Sequence, residues 1–493
     1  MTTCCNDKTT GTDRLERTPG TLRNGRRPRR IIIIGGGSAA FAAASRAVEL
    51  GADQVTIIND GLPTGGTCVN VGCVPSKTLI RAAESLYRAR HNPFAGIQTR
   101  GHLAHFPAVI EEKRRLVDGL RQAKYLDVIR RLPQVRLIEG RGRLIDDKTV
   151  QVGGEQLVAD HILIATGATA AIPDIPGLAD VSYLTNQSLF ELESLPESLI
   201  VLGGRYVALE CAQLFARLGS RVTILQRSDR ILPTQAEDIT NLLTTYLVGE
   251  GLEIVTGVTV EQVQRCGSNV LVTAKINGTR RDFTAARILV ATGRAPNTRS
   301  MGLQEAGVQL DKRGFITVDP TLQTTRAGVW AAGDVLGQHM FVYTAAYEGA
   351  LAAENALTGA GRAADYTALP WVIFTDPQVA GVGLDERQAR EAGWEAESAA
   401  LPLAHVPRAI AARDTRGVIQ LIRDRKTDRL LGARILAAEG SELLMEAALA
   451  IKFGITVHQL RESFHPYLTL GEGMKLAALA FVKDPAHLSC CAT

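Results

Sequence analysis

The chain has 493 residues, 45% of them hydrophobic and 22% charged, with a formal net charge of +4. That length exceeds what one hydrophobic core organises and points to about three domains. The small charge, without a basic helix interleaved with aromatics, argues against a nucleic-acid partner, and no apolar run approaches the ~20 residues that span a bilayer.

Residues 1–28 form a polar, basic stretch running into Arg29-Arg30. It lacks the apolar centre of a secretory signal, which predicts a disordered tail and a cytoplasmic protein. The eight cysteines are too few for a disulfide framework, yet six fall in close pairs: Cys4 and Cys5, Cys68 and Cys73, Cys490 and Cys491. In a reducing compartment such pairs mark redox work or metal binding. Cys211 and Cys266 stand alone and read as ordinary residues.

The first predicted element is the strand IIII at 31–34. A glycine turn, an alanine-rich helix and a second strand, VTIIN, follow. Gly35, Gly37 and Ala40 fit G-x-G-x-x-A, in which the first residue makes the turn, the second admits a pyrophosphate and the third lets helix and strand pack. Asn59, with Asp60 beside it, stands where an acid would bind ribose, and its amide still offers hydrogen bonds.

The segment GGTCVNVGCVPSK at 65–77 sets Cys68 and Cys73 five apart at a helix start, where the dipole and open N–H groups favour a thiolate. Lys77, one turn beyond Cys73, adds positive charge. After a strand ending in Ala-Thr-Gly at 165–167, Pro173, Pro176 and Gly177 mark a crossover, and residues 199–227 repeat the strand–glycine–helix–strand plan. Gly203 and Ala208 fit, but Arg205 replaces the middle glycine. This second strand ends in Gln226, followed by Arg227 and Arg230, a pairing that suits a 2′-phosphate and so NADPH.

A second Ala-Thr-Gly at 291–293, GVWAAGDV and another alanine-rich helix come next, and beyond Pro370 the texture changes to alternating runs and the amphipathic helix SELLMEAALAIKFG. The expected fold is α/β: two Rossmann-type dinucleotide-binding domains, at 29–170 with 290–360 and at 171–289, plus an α+β C-terminal domain at 361–480. A flexible tail, 481–493, carries Cys490-Cys491.

Together with TDPQVAGVG at 375–383, these motifs resemble the flavin-dependent pyridine nucleotide-disulfide oxidoreductases, such as glutathione reductase and dihydrolipoamide dehydrogenase, from about residue 29 to 482. The resemblance implies FAD on the first unit, touched by Gly61, Thr67, Gly142 and Val342, with Asp334 on its ribityl chain. NADPH would bind the second unit. Cys73 would be the thiolate against the flavin, Cys68 the outer thiol, and Lys77 would pair with Glu210. It also implies a homodimer in which the partner's third domain completes each site.

The C-terminal motif departs from that pattern. Disulfide reductases carry His-Pro-Thr-x-x-Glu, whose histidine is the acid–base; here the chain reads HPYLTLGEG from His465. Anchoring on Glu472 puts Tyr467 at the histidine position and leaves His465 two residues early. A tyrosine with an ordinary pKa near ~10 is a poor acid–base at neutral pH, which suits a substrate that leaves without a proton. Thiolates suit soft metal ions. The PYLT segment, Glu472 and the terminal SCCA resemble the branch of the family that reduces mercuric ion. That likeness implies that Tyr206 and Tyr467 flank the metal, and that Cys490 and Cys491 take Hg(II) from a dithiol complex and pass it to Cys68 and Cys73 of the other subunit. A reductase of glutathione- or lipoamide-like disulfides and a flavoprotein that only sequesters metal are the alternatives.

Overall fold

The computed structural model describes residues 29–487. Its first sheet is parallel, with strands in the order Val329–Ala331, His161–Ile164, Arg30–Ile34, Gln54–Asn59, Val135–Glu139. Ile31 to Ile34 are buried on both faces, as a central parallel strand requires. The alanines of helix Ser38–Glu49 let helix Val342–Thr358 approach closely: a Cβ on Gly349 would lie 2.1 Å from the Ala39 carbonyl oxygen.

The second parallel sheet orders Glu253–Val255, Arg221–Leu225, Ser198–Leu202, Arg287–Val290. The sequence repeat reappears as geometry. Gly35 and Gly203 both adopt positive φ, 128° and 112°, and a Cβ there would meet the carbonyl oxygen of Ala165 at 2.1 Å or of Ala291 at 2.4 Å. Only glycine fits where the turn crosses the neighbouring strand end so closely. Arg205 is tolerated because its backbone is extended, φ −110° and ψ −169°, and its side chain is exposed. A short antiparallel pair, Ala168–Ala170 with Arg294–Pro296, joins the two sheet systems.

The third sheet is antiparallel, in the order Trp371–Ile373, Gln378–Gly383, Leu430–Ala437, Val418–Asp424, Ala396–Pro402, and it packs on helices Gly440–Phe453 and Glu472–Leu479. This is the expected α/β fold with two dinucleotide-binding sheets and an α+β unit.

One helix fastens the three together. Tyr206–Leu218 presents Glu210, Gln213 and Arg217 at i, i+3 and i+7, which share a helix face. Glu210 reaches Lys77 of the first unit and accepts from the Phe374 N–H of the third. Gln213 exchanges two 2.8 Å bonds with the Asp376 backbone. Arg217, almost fully buried, pairs with Glu250 at 2.6 Å and Asp376 at 2.9 Å, and Arg416 adds a 3.1 Å bond to Asp376. A buried charge stripped of its partner is costly, so this network fixes where the third unit stands relative to the redox helix. No helix among the described residues is long and apolar enough to cross a membrane.

Candidate active site

Cys68 lies in the short helix Gly66–Asn70, and Cys73 opens the helix Cys73–Arg90 with no side-chain cap on its N-terminus. Leu79 and Ala83, four apart, bury one face of that helix and so aim its N-terminus inward. Both cysteines are free, half-buried thiols. They are unequal. The hydrogen bond from Cys68 holds Cys73 down to about 7, with Lys77 helping against the opposing effect of burial. The same bond, with burial, pushes Cys68 far up. One thiolate therefore forms near neutral pH, on the cysteine at the helix N-terminus.

Lys77 donates to Glu210 at 2.6 Å, and its ammonium lies 4.6 Å from the Phe374 ring centroid. Glu210 is buried, and Lys77 and the Phe374 N–H are the partners of its two carboxylate oxygens.

A cavity of about 880 Å³ runs from the first glycine turn to the cysteines. It brings together Gly35, Gly37, Asn59, Gly61 and Thr67 at one end and side, and Gly142, Asp334 and Val342 with both thiols along the rest. Ala40 is fully buried behind it, where the helix meets the sheet. The walls fit a flavin dinucleotide. The Thr166 hydroxyl on the lining is buried without a partner, and burial raises the Asp334 carboxyl despite Arg294 at 3.4 Å. Both await a polar ligand. Asn59 donates to Leu62 O and to Glu139, each at 3.0 Å, which leaves its oxygen toward the glycine turn and Asp60 exposed at the rim.

A second cavity, about 1020 Å³, opens at the N-terminus of Tyr206–Leu218 and is lined by Arg205, Tyr206, Arg294, Phe341 and Trp371. Open N–H groups there suit a phosphate, and the buried Arg294 Nε lacks a partner. Tyr206 packs 6.3 Å from Phe341 and 6.0 Å from Trp371, and burial pushes its phenol up to about 12. Gly203 and Ala208 form the turn and the buried helix contact. The two arginines part company. Arg227 is exposed, whereas Arg230 donates to Gln235 O, Pro233 O and Thr240 Oγ1 and so clamps its own loop.

Family models for pyridine nucleotide-disulphide oxidoreductases match residues 29–349, and those for the dimerisation domain of that family match 369–478. The chain belongs to the pyridine nucleotide-disulphide oxidoreductases. It is 46% identical over 461 residues to a mercuric reductase of Bacillus cereus, covering 94% of this chain and 73% of the relative. A mercuric reductase of Streptomyces lividans is 44% identical over 468 residues, 94% of this chain and 98% of its own. Among solved structures, the Cu(II) complex of the HOCl-induced flavoprotein disulfide reductase RclA from Escherichia coli superposes with a TM-score of 0.83 at 30% identity, over 92% of this chain and all of that one. As a member of the family, the oxidoreductase uses FAD and NADPH.

Tyr467 and Glu472 lie apart from the thiols, lining neither cavity. Tyr467 is 56% exposed on the dimerisation domain. On the same domain, Met445, Leu449 and Phe453 form an exposed apolar stripe at i, i+4 and i+8 along helix Gly440–Phe453, with Phe464 exposed as well; such a face marks an interaction surface, and the family is homodimeric through this domain. Cys4, Cys5, Cys490 and Cys491 lie outside the described residues. Cys211 is fully buried and Cys266 exposed.

Three features of the site have little or no mark in the sequence. Tyr343 stacks 5.4 Å from Phe341 and bonds the Pro370 carbonyl, completing an aromatic wall beside Tyr206. Glu348, buried, accepts from Gly333 N–H and Tyr366 at 2.7 Å each, and burial raises it to about 7. It supports the turn that carries Asp334. The third is the network around Asp376. The lone glutamate in the apolar run AAYEGALAA was the available signal for Glu348.

Proposed function

We propose that this oxidoreductase reduces Hg(II) to elemental mercury, and that Cys68 and Cys73 hold the ion while it is reduced. The unequal thiol pair carries the reading: one thiolate is ready near neutral pH and a second thiol is hydrogen-bonded to it. Two neighbouring sulfurs offer a dithiolate complex, which suits a soft ion.

FAD, with NADPH behind it, supplies the two electrons. Cys73 offers its thiolate first and displaces one thiolate of the incoming complex, and Cys68 then passes its proton to the second departing thiolate as its own sulfur exchanges onto the metal. Lys77 and Glu210 keep a fixed charge pair beside the site. When Hg(II) takes two electrons it becomes the neutral atom, both Hg–S bonds break, and each bonding pair stays on sulfur as thiolate. No leaving group needs a proton, which explains why Tyr467 stands where the disulfide reductases place a histidine. Tyr206, desolvated and packed between Phe341 and Trp371, walls the site from water.

On this reading the substrate arrives as a dithiol complex, Tyr467 and Glu472 belong to the partner's site across the dimer, and the enzyme works in the reducing cytoplasm. The FAD unit is then 29–170 with 290–360, the NADPH unit 171–289 and the interface unit 361–480.

The test is NADPH oxidation with Hg(II) and excess thiol, run beside oxidised glutathione and lipoamide. Brisk, Hg(II)-dependent oxidation with release of volatile mercury is expected, and the disulfides should be turned over slowly. Efficient disulfide turnover would make it a disulfide reductase, and Hg(II) binding without NADPH oxidation a sequestering protein.

Cofactor choice gives a second prediction. A charged hydrogen bond is worth about 1.5–3 kcal/mol, so Arg227→Ala should raise KM for NADPH roughly 10- to 100-fold and leave that for NADH nearly unchanged. Arg230→Ala, which frees the 231–235 loop, should raise both. Equal effects of Arg227→Ala on the two coenzymes would remove it from the 2′-phosphate site.

A further inference from the structure

The loop that carries Tyr467 is tied down at both ends. Upstream, His465 Nε2 bonds Glu446 Oε1 at 2.8 Å and Nδ1 faces the Ser463 carbonyl at 3.2 Å, with the ring only 9% exposed. Both ring nitrogens thus face oxygen acceptors within their own domain. Downstream, Leu468 sits in the left-handed region at φ 62°, which a branched residue avoids unless its surroundings enforce it. The enforcing bonds are present: Leu468 N–H to Glu472 at 3.3 Å, Thr469 Oγ1 to Pro466 O at 2.8 Å, and Glu472 N–H to Thr469 Oγ1 at 3.2 Å. Between the two anchors the Tyr467 ring is left more than half exposed. Glu446, the upstream anchor, lies on helix Gly440–Phe453, whose Met445, Leu449 and Phe453 form the apolar stripe.

We infer that His465 is a positioning residue: through Glu446 it pins the Tyr467 loop to the dimer-facing helix, so that docking of two subunits delivers Tyr467 to the partner's thiol pair in one fixed pose. The inference deepens the proposed function and rests on it. His465 thereby does mechanical work in place of proton transfer. Its two nitrogens are spent on Ser463 and Glu446, and two residues further along stands the side chain that the partner's site receives.

The test compares His465→Ala, His465→Gln, Glu446→Ala and Tyr467→Phe dimers carrying FAD. His465→Ala and Glu446→Ala should each lower kcat for Hg(II) about 10-fold or more, while KM for NADPH and the rate of flavin reduction by NADPH stay at wild-type values. His465→Gln, whose amide still donates to Glu446, should restore most of the loss and leave the pH profile of kcat in place. In a Tyr467→Phe background, His465→Ala should add little, because both changes remove one delivered side chain. Three results would overturn the inference: a His465→Gln as impaired as His465→Ala with a displaced pH profile, which would make His465 an acid–base; full additivity with Tyr467→Phe; or a monomeric His465→Ala by sedimentation, which would assign the pair to the interface itself. Wild-type protein inert to Hg(II) counts against the proposed function. Wild-type activity that His465→Ala leaves intact counts against this inference alone.

Discussion

Cys73→Ser is expected to abolish Hg(II) reduction and to remove the long-wavelength thiolate–flavin absorbance of the reduced enzyme, whereas Cys68→Ser abolishes turnover but keeps a thiolate to produce that band. The hydrogen bond from Cys68, the uncapped N-terminus of helix Cys73–Arg90 and Lys77 favour charge on Cys73. Removing either metal ligand should cost at least roughly 10³-fold in turnover, the scale seen when one member of a concerted catalytic group is deleted. The pH dependence has a definite sign. Cys73 titrates at about 7, below an ordinary thiol, so alkylation of the reduced protein by iodoacetamide should be slow well below pH 7 and reach half its maximal rate near it. Lys77→Met removes a stabilising positive charge and should move that midpoint upward. Cys68→Ala, which has no donor to replace the thiol, removes the hydrogen bond that lowers Cys73 most, so it should move the midpoint up as well. A wild-type midpoint of 8.5 or higher, or a band lost in Cys68→Ser and kept in Cys73→Ser, would reverse the assigned roles.

What the sequence made legible was local. The two glycine turns stand out because Gly35 and Gly203 each sit between an apolar strand and a helix, and the constraint acts within a few residues of chain. Cys73 and Lys77 are legible for the same reason, being one helical turn apart. Lys77 with Glu210 is separated by 133 residues and came only from the family resemblance, which cannot say that Phe374 N–H shares the carboxylate. Arg230 looked like half of a phosphate site because charge and position in sequence suited it. In the structure its guanidinium bonds main-chain carbonyls of the following loop and the Thr240 hydroxyl, and a sequence carries no sign of where carbonyls point. Arg205 looked like a defect in the motif, but the extended backbone at that position accepts any side chain. His465 reads from the sequence as out of register for acid–base work, and its bond to Glu446 depends on how a helix and a loop of the third unit pack, which no spacing rule gives. The residues that hold the units together, Gln213, Arg217, Glu250 and Asp376, were invisible because each is an unremarkable polar residue until three chain segments meet.

Replacing both Cys490 and Cys491 with alanine is expected to separate delivery of the metal from its reduction. Adjacent cysteines close a strained ring when oxidised, so the pair stays a dithiol able to ligate. The third sheet and helix Glu472–Leu479 close their core among residues up to 481, so FAD content and the thermal midpoint should not move. Hg(II) held by two glutathiones is bulky, and Cys68 and Cys73 are half-buried beside the flavin cavity. Ligand exchange onto a tethered dithiol replaces a bimolecular encounter at that recessed pair with an internal one, at an effective concentration on the order of millimolar. Losing the tether should therefore cost about 10-fold or more in kcat/KM for Hg(II)–glutathione. Mercuric bromide at low thiol, small enough to enter directly, should keep most of its rate. Equal losses with both substrates would mean the pair acts in reduction as well, and no loss with either would make it incidental. The dimer adds a sharper version. A subunit lacking the tail pair, joined to one lacking Cys68 and Cys73, retains one complete site if the pair serves the partner, and about half the wild-type rate with Hg(II)–glutathione should survive. A heterodimer that binds FAD normally yet shows no activity would place the tail and the redox pair in the same chain's site, and with it would fall the proposal that the partner completes delivery.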